Sequence, residues 1–146
     1  MVRHRTPVCR VAVALALAGL MAGCSHGARA PEGHEVTLSG AQEVPANTSA
    51  ASGSGIIHVA LDRSVTGAVR YTGMVATMAH LHEAPFGANG PVIVPLVKTG
   101  DGLFAVPADA SLTPPQYASY LAGNLYVNVH SAAYPAGEIR AQLKPK

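Results

Sequence analysis

Between residues 34 and 143 apolar side chains recur at every second position in short runs, and glycine-bearing turn signals separate the runs. Successive side chains of an extended strand point to opposite faces, so this pattern commits the chain to half-buried β-strands. Val36 and Leu38 alternate with Glu35 and Thr37. Ile57, Val59 and Leu61 share a face, with His58 on the other, and Val69 and Tyr71 alternate with Arg70 and Thr72. Leu125, Val127 and Val129 face one way while Tyr126, Asn128 and His130 face the other; Ile139, Ala141 and Leu143 close the series. Residues 91–97, PVIVPLV, are apolar without alternation, and Pro95 directs them to an edge strand or a loop because it has no amide hydrogen to donate. Turns are marked at Ser52-Gly53-Ser54-Gly55, Thr66-Gly67, Asn89-Gly90, Gly100-Asp101-Gly102 and Ala136-Gly137.

One helix interrupts the strands. Thr113-Pro114-Pro115-Gln116 supplies an N-cap, a proline at the first helical position and a glutamine at capping-box spacing. Tyr117, Tyr120 and Leu121 then fall on one face, and Gly123 offers the left-handed stop. The expected fold is mainly β: a single antiparallel β-sandwich, immunoglobulin-like or superoxide-dismutase-like, with one short helix near residues 114–122.

The N-terminal part follows different rules. Residues 1–10 hold three arginines and no acid, and residues 11–22, VAVALALAGLMA, are uncharged and apolar. Twelve helical residues span about 18 Å, short of a bilayer core of about 30 Å, so the run reads as an export signal and not as a membrane span. It ends in Leu20-Met21-Ala22-Gly23-Cys24, which resembles the lipobox of bacterial lipoproteins, although Met21 replaces the usual leucine. That resemblance implies a signal peptide over 1–23 and acylation of Cys24 as the mature N-terminus. Residues 24–33 then serve as a flexible tether, with His26 and His34 as tether residues, and 34–146 form the domain. The implied location is extracytoplasmic, anchored to a membrane by lipid. Ser25 lacks the aspartate that commonly retains lipoproteins in the inner membrane, which favours the outer membrane where the host has one.

The net charge of +2 includes the signal's arginines; beyond residue 24, seven basic residues face eight acidic ones. No basic stripe exists to track a phosphate backbone, so nucleic acid is not an expected partner. The two cysteines, Cys9 and Cys24, both belong to the export segment, so the domain is expected to fold without disulfides.

Five ordered blocks carry a further resemblance. They are Leu38-Ser39-Gly40-Ala41-Gln42-Glu43-Val44-Pro45, Ala79-His80-Leu81-His82, Gly87-Ala88-Asn89-Gly90-Pro91, Gly123 to His130 (GNLYVNVH) and Pro135 to Leu143 (PAGEIRAQL). Together they resemble the CHRD domain, a module named for its occurrence in chordin. The resemblance runs from about residue 35 to 144 and implies an extracellular binding or interaction module more than a reaction. Its partner, a protein or a small ligand, is left open, and chordin's growth-factor role does not carry over to a bacterial lipoprotein.

Chemistry is concentrated in histidines. His80 and His82 lie two apart in an extended segment, so both rings project to one face about 7 Å apart at Cα. His130 ends a strand on its polar face. Imidazoles from two segments are a candidate site for copper or zinc, with redox chemistry as a further option. Glu83 and Glu138 are candidates to ligate the ion or to orient a ring, and Asn128 to support the rings from behind. The alternative is structural: each ring fastens a loop by donating to a backbone carbonyl. His58 is a solitary strand histidine, exposed or a fourth ligand. An HxH pair on a β-sandwich also looks like copper/zinc superoxide dismutase, but the zinc loop and disulfide have no counterpart, so that likeness rests on fold analogy alone. Glu43 reads as part of a strand end and turn, and Tyr117, Tyr120 and Tyr126 as core or rim. No serine has a G-x-S-x-G setting and the 87–91 loop lacks the lysine of a phosphate loop, so the sequence leans away from an enzyme.

Overall fold

A computed structural model describes Met1 and residues 33–144; the expected signal, Cys24 and nearly all of the tether lie outside the described residues. Nine strands form: β1 (His34–Ser39), β2 (Ser52–Val59), β3 (Val65–Thr72), β4 (Ala76–Glu83), β5 (Val92–Pro95), β6 (Val97–Gly100), β7 (Leu103–Ala105), β8 (Leu125–Ser131) and β9 (Ile139–Gln142). One helix, α1 (Pro114–Leu121), precedes β8. No helix among the described residues is long and apolar enough to cross a membrane.

All strand pairs are antiparallel, in the order β5-β4-β8-β9-β1-β2-β3-β7-β6. The two outermost strands, β5 and β6, are separated in the chain by Leu96 alone. A residue advances the chain by at most about 3.6 Å, so the two edges of the sheet must lie side by side. The sandwich is therefore one sheet curled until it nearly closes, with its seam at Leu96. That residue is buried, and its amide donates to the Ala79 carbonyl at 2.9 Å. Pro95, at the end of β5, withholds its own amide from any further ladder.

The curl encloses the apolar face. Leu38, Ile57, Val65, Val69, Leu81, Leu125, Val127, Val129, Ile139 and Leu143 are completely buried there. The period-two reading holds for β1, β3, β8 and β9, and fails at Leu61. β2 stops at Val59, and Leu61 sits in the following turn at 92% exposure. Asp62 causes this: its carboxylate accepts from the Ser64 amide at 3.0 Å and hydroxyl at 2.7 Å, reversing the chain before Leu61 can pair.

α1 starts as its cap dictates, with the Thr113 amide donating to Gln116 Oε1 at 2.8 Å and the Gln116 amide to Thr113 Oγ1 at 3.4 Å. Its buried contact is Tyr120; Leu121, expected on the same face, is 59% exposed. Tyr120 meets His34, which is not a tether residue but the buried first residue of β1. The His34 ring donates from Nδ1 to the Lys144 carbonyl at 2.7 Å and accepts from the Tyr120 hydroxyl at Nε2. It thereby clasps the start of the domain to its C-terminal end.

Candidate metal centre

The outer face of β4, β8 and β9 is polar, yet every residue of β8 is buried. Loops cover it. In β4 a bulge between Ala76 and Met78 resets the alternation, so Ala79 and Leu81 enter the core while Met78, His80 and His82 point outward. β8 contributes Tyr126, Asn128 and His130, and β9 contributes Arg140 and Gln142. Register places His82 opposite Tyr126, His80 opposite Asn128, Met78 opposite His130, and Asn128 opposite Arg140.

The covering loops are fixed by these side chains. Arg140, 2% exposed, donates to Asn89 Oδ1 at 3.1 Å and to the Ala88 carbonyl at 2.9 Å. Its guanidinium lies 3.4 Å from the Tyr126 ring centroid, and His82 stacks on the same tyrosine at 4.8 Å and 7°. Gln142 donates to the Ala84 carbonyl at 3.0 Å, and the Tyr126 hydroxyl accepts from the Gly90 amide at 3.2 Å. Gly90 must be glycine: a β-carbon there would stand 1.8 Å from the Glu83 carbonyl oxygen.

His80, His82 and His130 converge, each offering a ring nitrogen within 4.8 Å of the others. His80 Nδ1 is 3.0 Å from His130 Nε2. His82 Nδ1 donates to the Gly90 carbonyl at 2.9 Å, and His130 Nδ1 to the Pro135 carbonyl at 3.1 Å. Those bonds set the tautomers: Nε2 of each ring is left unprotonated, that of His130 facing His80 Nδ1 and that of His82 buried without a partner. Fastening and convergence, posed as alternatives from the sequence, thus occur together in the same rings. A carbonyl on the far nitrogen is also how metal-binding histidines are oriented. Three nitrogens on one ion, each about 2.0–2.1 Å from it, lie about 3.3–3.6 Å apart, so the widest pair must close by about 1.2–1.5 Å, a side-chain rotation.

Electrostatics keep the rings neutral. Burial, reinforced by the neighbouring His130 and His82, pulls His80 from its ordinary 6.5 down to about 4. Burial likewise lowers His82 and His130, opposed by their carbonyl bonds. Neutral imidazole is the form that ligates metal.

The expected supporting residues are distributed unevenly. Asn128, 2% exposed, interacts with both His82 and Glu43. Glu83 instead accepts from Ser119 Oγ on α1, and Glu138 from Ser49 Oγ at 2.6 Å; neither bonds a ring of the cluster. His58 is half-buried in β2, three strands beyond β8 in the sheet, and is not part of the histidine group.

Two residues of the site were not singled out from the sequence. Arg140 appears there only inside the last block, with no role of its own. Glu43 reads as a turn residue, but it is 6% exposed and its Oε1 has no partner. Burial raises its carboxyl from 4.5 to about 7 against the lowering pull of Arg140. Gly137, at φ +133°, makes room for it: a β-carbon there would lie 2.5 Å from Glu43 Oε1 and 2.6 Å from Asn128 Nδ2. The available signal was membership in the blocks. Each of the five delivers a residue to this one face: Glu43, His80 with His82, Asn89 with Gly90, Tyr126 with Asn128 and His130, and Gly137 with Arg140.

Fold and site define a small extended-strand module whose loops enclose a buried polar layer with three converging imidazoles. The CHRD domain family model matches residues 35–143, and the chain belongs to that family. Membership supports a binding or interaction module in general. No curated protein and no solved structure matches the chain.

Proposed function

We propose that this CHRD domain is a transition-metal-binding module of the cell envelope, with His80, His82 and His130 as ligands and copper or zinc as the ion. One observation carries the reading: Nδ1 of His82 and of His130 is tied to a backbone carbonyl, His130 Nε2 meets His80 Nδ1 at 3.0 Å, and each of the three rings offers a nitrogen within 4.8 Å of the others. A bound ion would supply Lewis acidity, or electron exchange in the case of copper. The protein holds the rings neutral and covers His82 and His130 with the 84–91 and 132–138 loops. Asn128, itself buried, restrains His82. The proposed role is binding and not catalysis.

The test uses the protein purified without a histidine tag, stripped of metal and titrated with Cu²⁺ and Zn²⁺. The parent is expected to bind one ion per chain, and a His80→Ala/His82→Ala variant to lose affinity by about two orders of magnitude or more. No binding, or binding unchanged in the variant, overturns the proposal. The carbonyl bonds of His82 and His130 would then stand as loop fasteners of an interaction module with a protein or small-molecule partner.

The envelope placement is supported by the 11–22 apolar run and the Leu20 to Cys24 motif. Mass spectrometry of the mature N-terminus is expected to find acylated Cys24; a mature chain starting elsewhere would refute the anchor.

A further inference from the structure

Met78 occupies an unusual position for a methionine. Met74 packs against the apolar core, whereas Met78 lies on the polar outer face and is 47% exposed. The bulge in β4 puts it there. From Met78 onward the strand alternates strictly, so Met78, His80 and His82 follow one another along the same face. Met78 is also directly opposite His130. Directly paired residues have β-carbons about 4.5–5.5 Å apart, so Met78 neighbours His130 across the ladder and His80 along the strand. Those are the two rings whose nitrogens are 3.0 Å apart.

The three imidazoles leave one side of the cluster open. His82 and His130 are buried beneath loops, and His80 is half-buried. The more exposed edge of the cluster is thus His80, whose neighbour along the strand is the exposed Met78. Among the described residues no carboxylate hydrogen-bonds a ring of the cluster. The side chain at that opening is an unbranched thioether with three rotatable bonds, able to swing inward without moving the backbone.

We propose that Met78 is the fourth ligand of the His80/His82/His130 centre and that it fits the centre for copper, Cu(I) above all, over zinc. This rests on the metal-binding reading above. A thioether is soft, carries no charge and needs no deprotonation, and soft sulfur ligands select Cu(I). Three neutral imidazoles with one thioether also keep a monovalent ion's net charge low beside the buried rings of His82 and His130.

The experiment compares the parent, Met78→Leu and His80→Ala/His82→Ala as full mature chains. Cu(I) affinity is read anaerobically by competition with bicinchoninate, Zn²⁺ affinity by competition with a chromogenic chelator, and the Cu(I) forms by X-ray absorption at the copper edge. Leucine matches methionine in volume, and the site is exposed, so folding is retained. Met78→Leu is expected to weaken Cu(I) binding by about tenfold or more, equivalent to roughly 1.4 kcal/mol. Zn²⁺ affinity should stay unchanged, and a sulfur neighbour of copper seen in the parent should vanish. Equal Cu(I) affinity in Met78→Leu, or no sulfur neighbour in the parent, overturns the assignment of Met78 while the histidine centre stands. A parent that binds neither ion overturns both.

Discussion

Replacing Glu43 by glutamine tests whether the buried polar layer is organised as described. The carboxyl is 6% exposed, and burial raises it from 4.5 to about 7. A group whose pKa is raised by folding contributes stability that is complete below its unfolded pKa and lost as pH rises through the folded one. For Glu43 that window runs from about 4.5 to 7. At roughly 1.4 kcal/mol per pH unit, the full displacement corresponds to an upper limit of about 3 kcal/mol. Glutamine has nearly the same shape and cannot ionise. Glu43→Gln is therefore expected to match the parent near pH 4.5 and to exceed it by about 2–3 kcal/mol near pH 8.5. For a domain of this size that is a rise in Tm of about 10 °C. The histidines act in the opposite sense: depressed below 6.5, they leave stability intact above that pH and withdraw it toward 4. Their contribution is common to both proteins and cancels in the difference. The assay is urea denaturation of the metal-free proteins across that range. A variant destabilised equally at both ends would refute the reasoning and mark Glu43 as an ionised partner of Arg140.

Two further substitutions probe the frame around the site. Gly137→Ala forces a β-carbon against Glu43 and Asn128 at a positive φ, and is expected to cost about 2 kcal/mol or more in chemical denaturation; an unchanged midpoint would contradict the crowding. Thr113→Ala removes the cap of α1 and is expected to cost about 1 kcal/mol by the same assay, with the metal site unaffected.

Much of this fold is legible in the sequence because its strands obey period two and its helix announces both ends. The Thr113 cap and the Gly123 stop bracket α1 by local chemistry alone. The closure through Leu96 was not legible, since strand order depends on which edges meet in space. The second buried layer was hidden for a different reason. Tyr126, Asn128 and His130 alternate with apolar residues as on any half-exposed strand, and only the loops folded over them make that face interior. Arg140 and Glu43 disappear from a sequence reading in the same way, because charged residues are presumed solvated. His34 misleads by its neighbours: small polar residues precede it, but its ring is claimed by Tyr120 and the Lys144 carbonyl. The His80/His82 pair was legible because strand geometry forces adjacent rings onto one face, and His130 because it shares that polar face across the ladder.

The metal centre is the claim on which the functional account rests, and anomalous diffraction tests it most directly. Crystals of the stripped protein, soaked with copper or with zinc and measured at the corresponding absorption edge, are expected to show one strong peak per chain. It should lie about 2.0–2.1 Å from a ring nitrogen of each of His80, His82 and His130. No peak, or one held by other residues while these rings keep only their carbonyl bonds, would contradict the account.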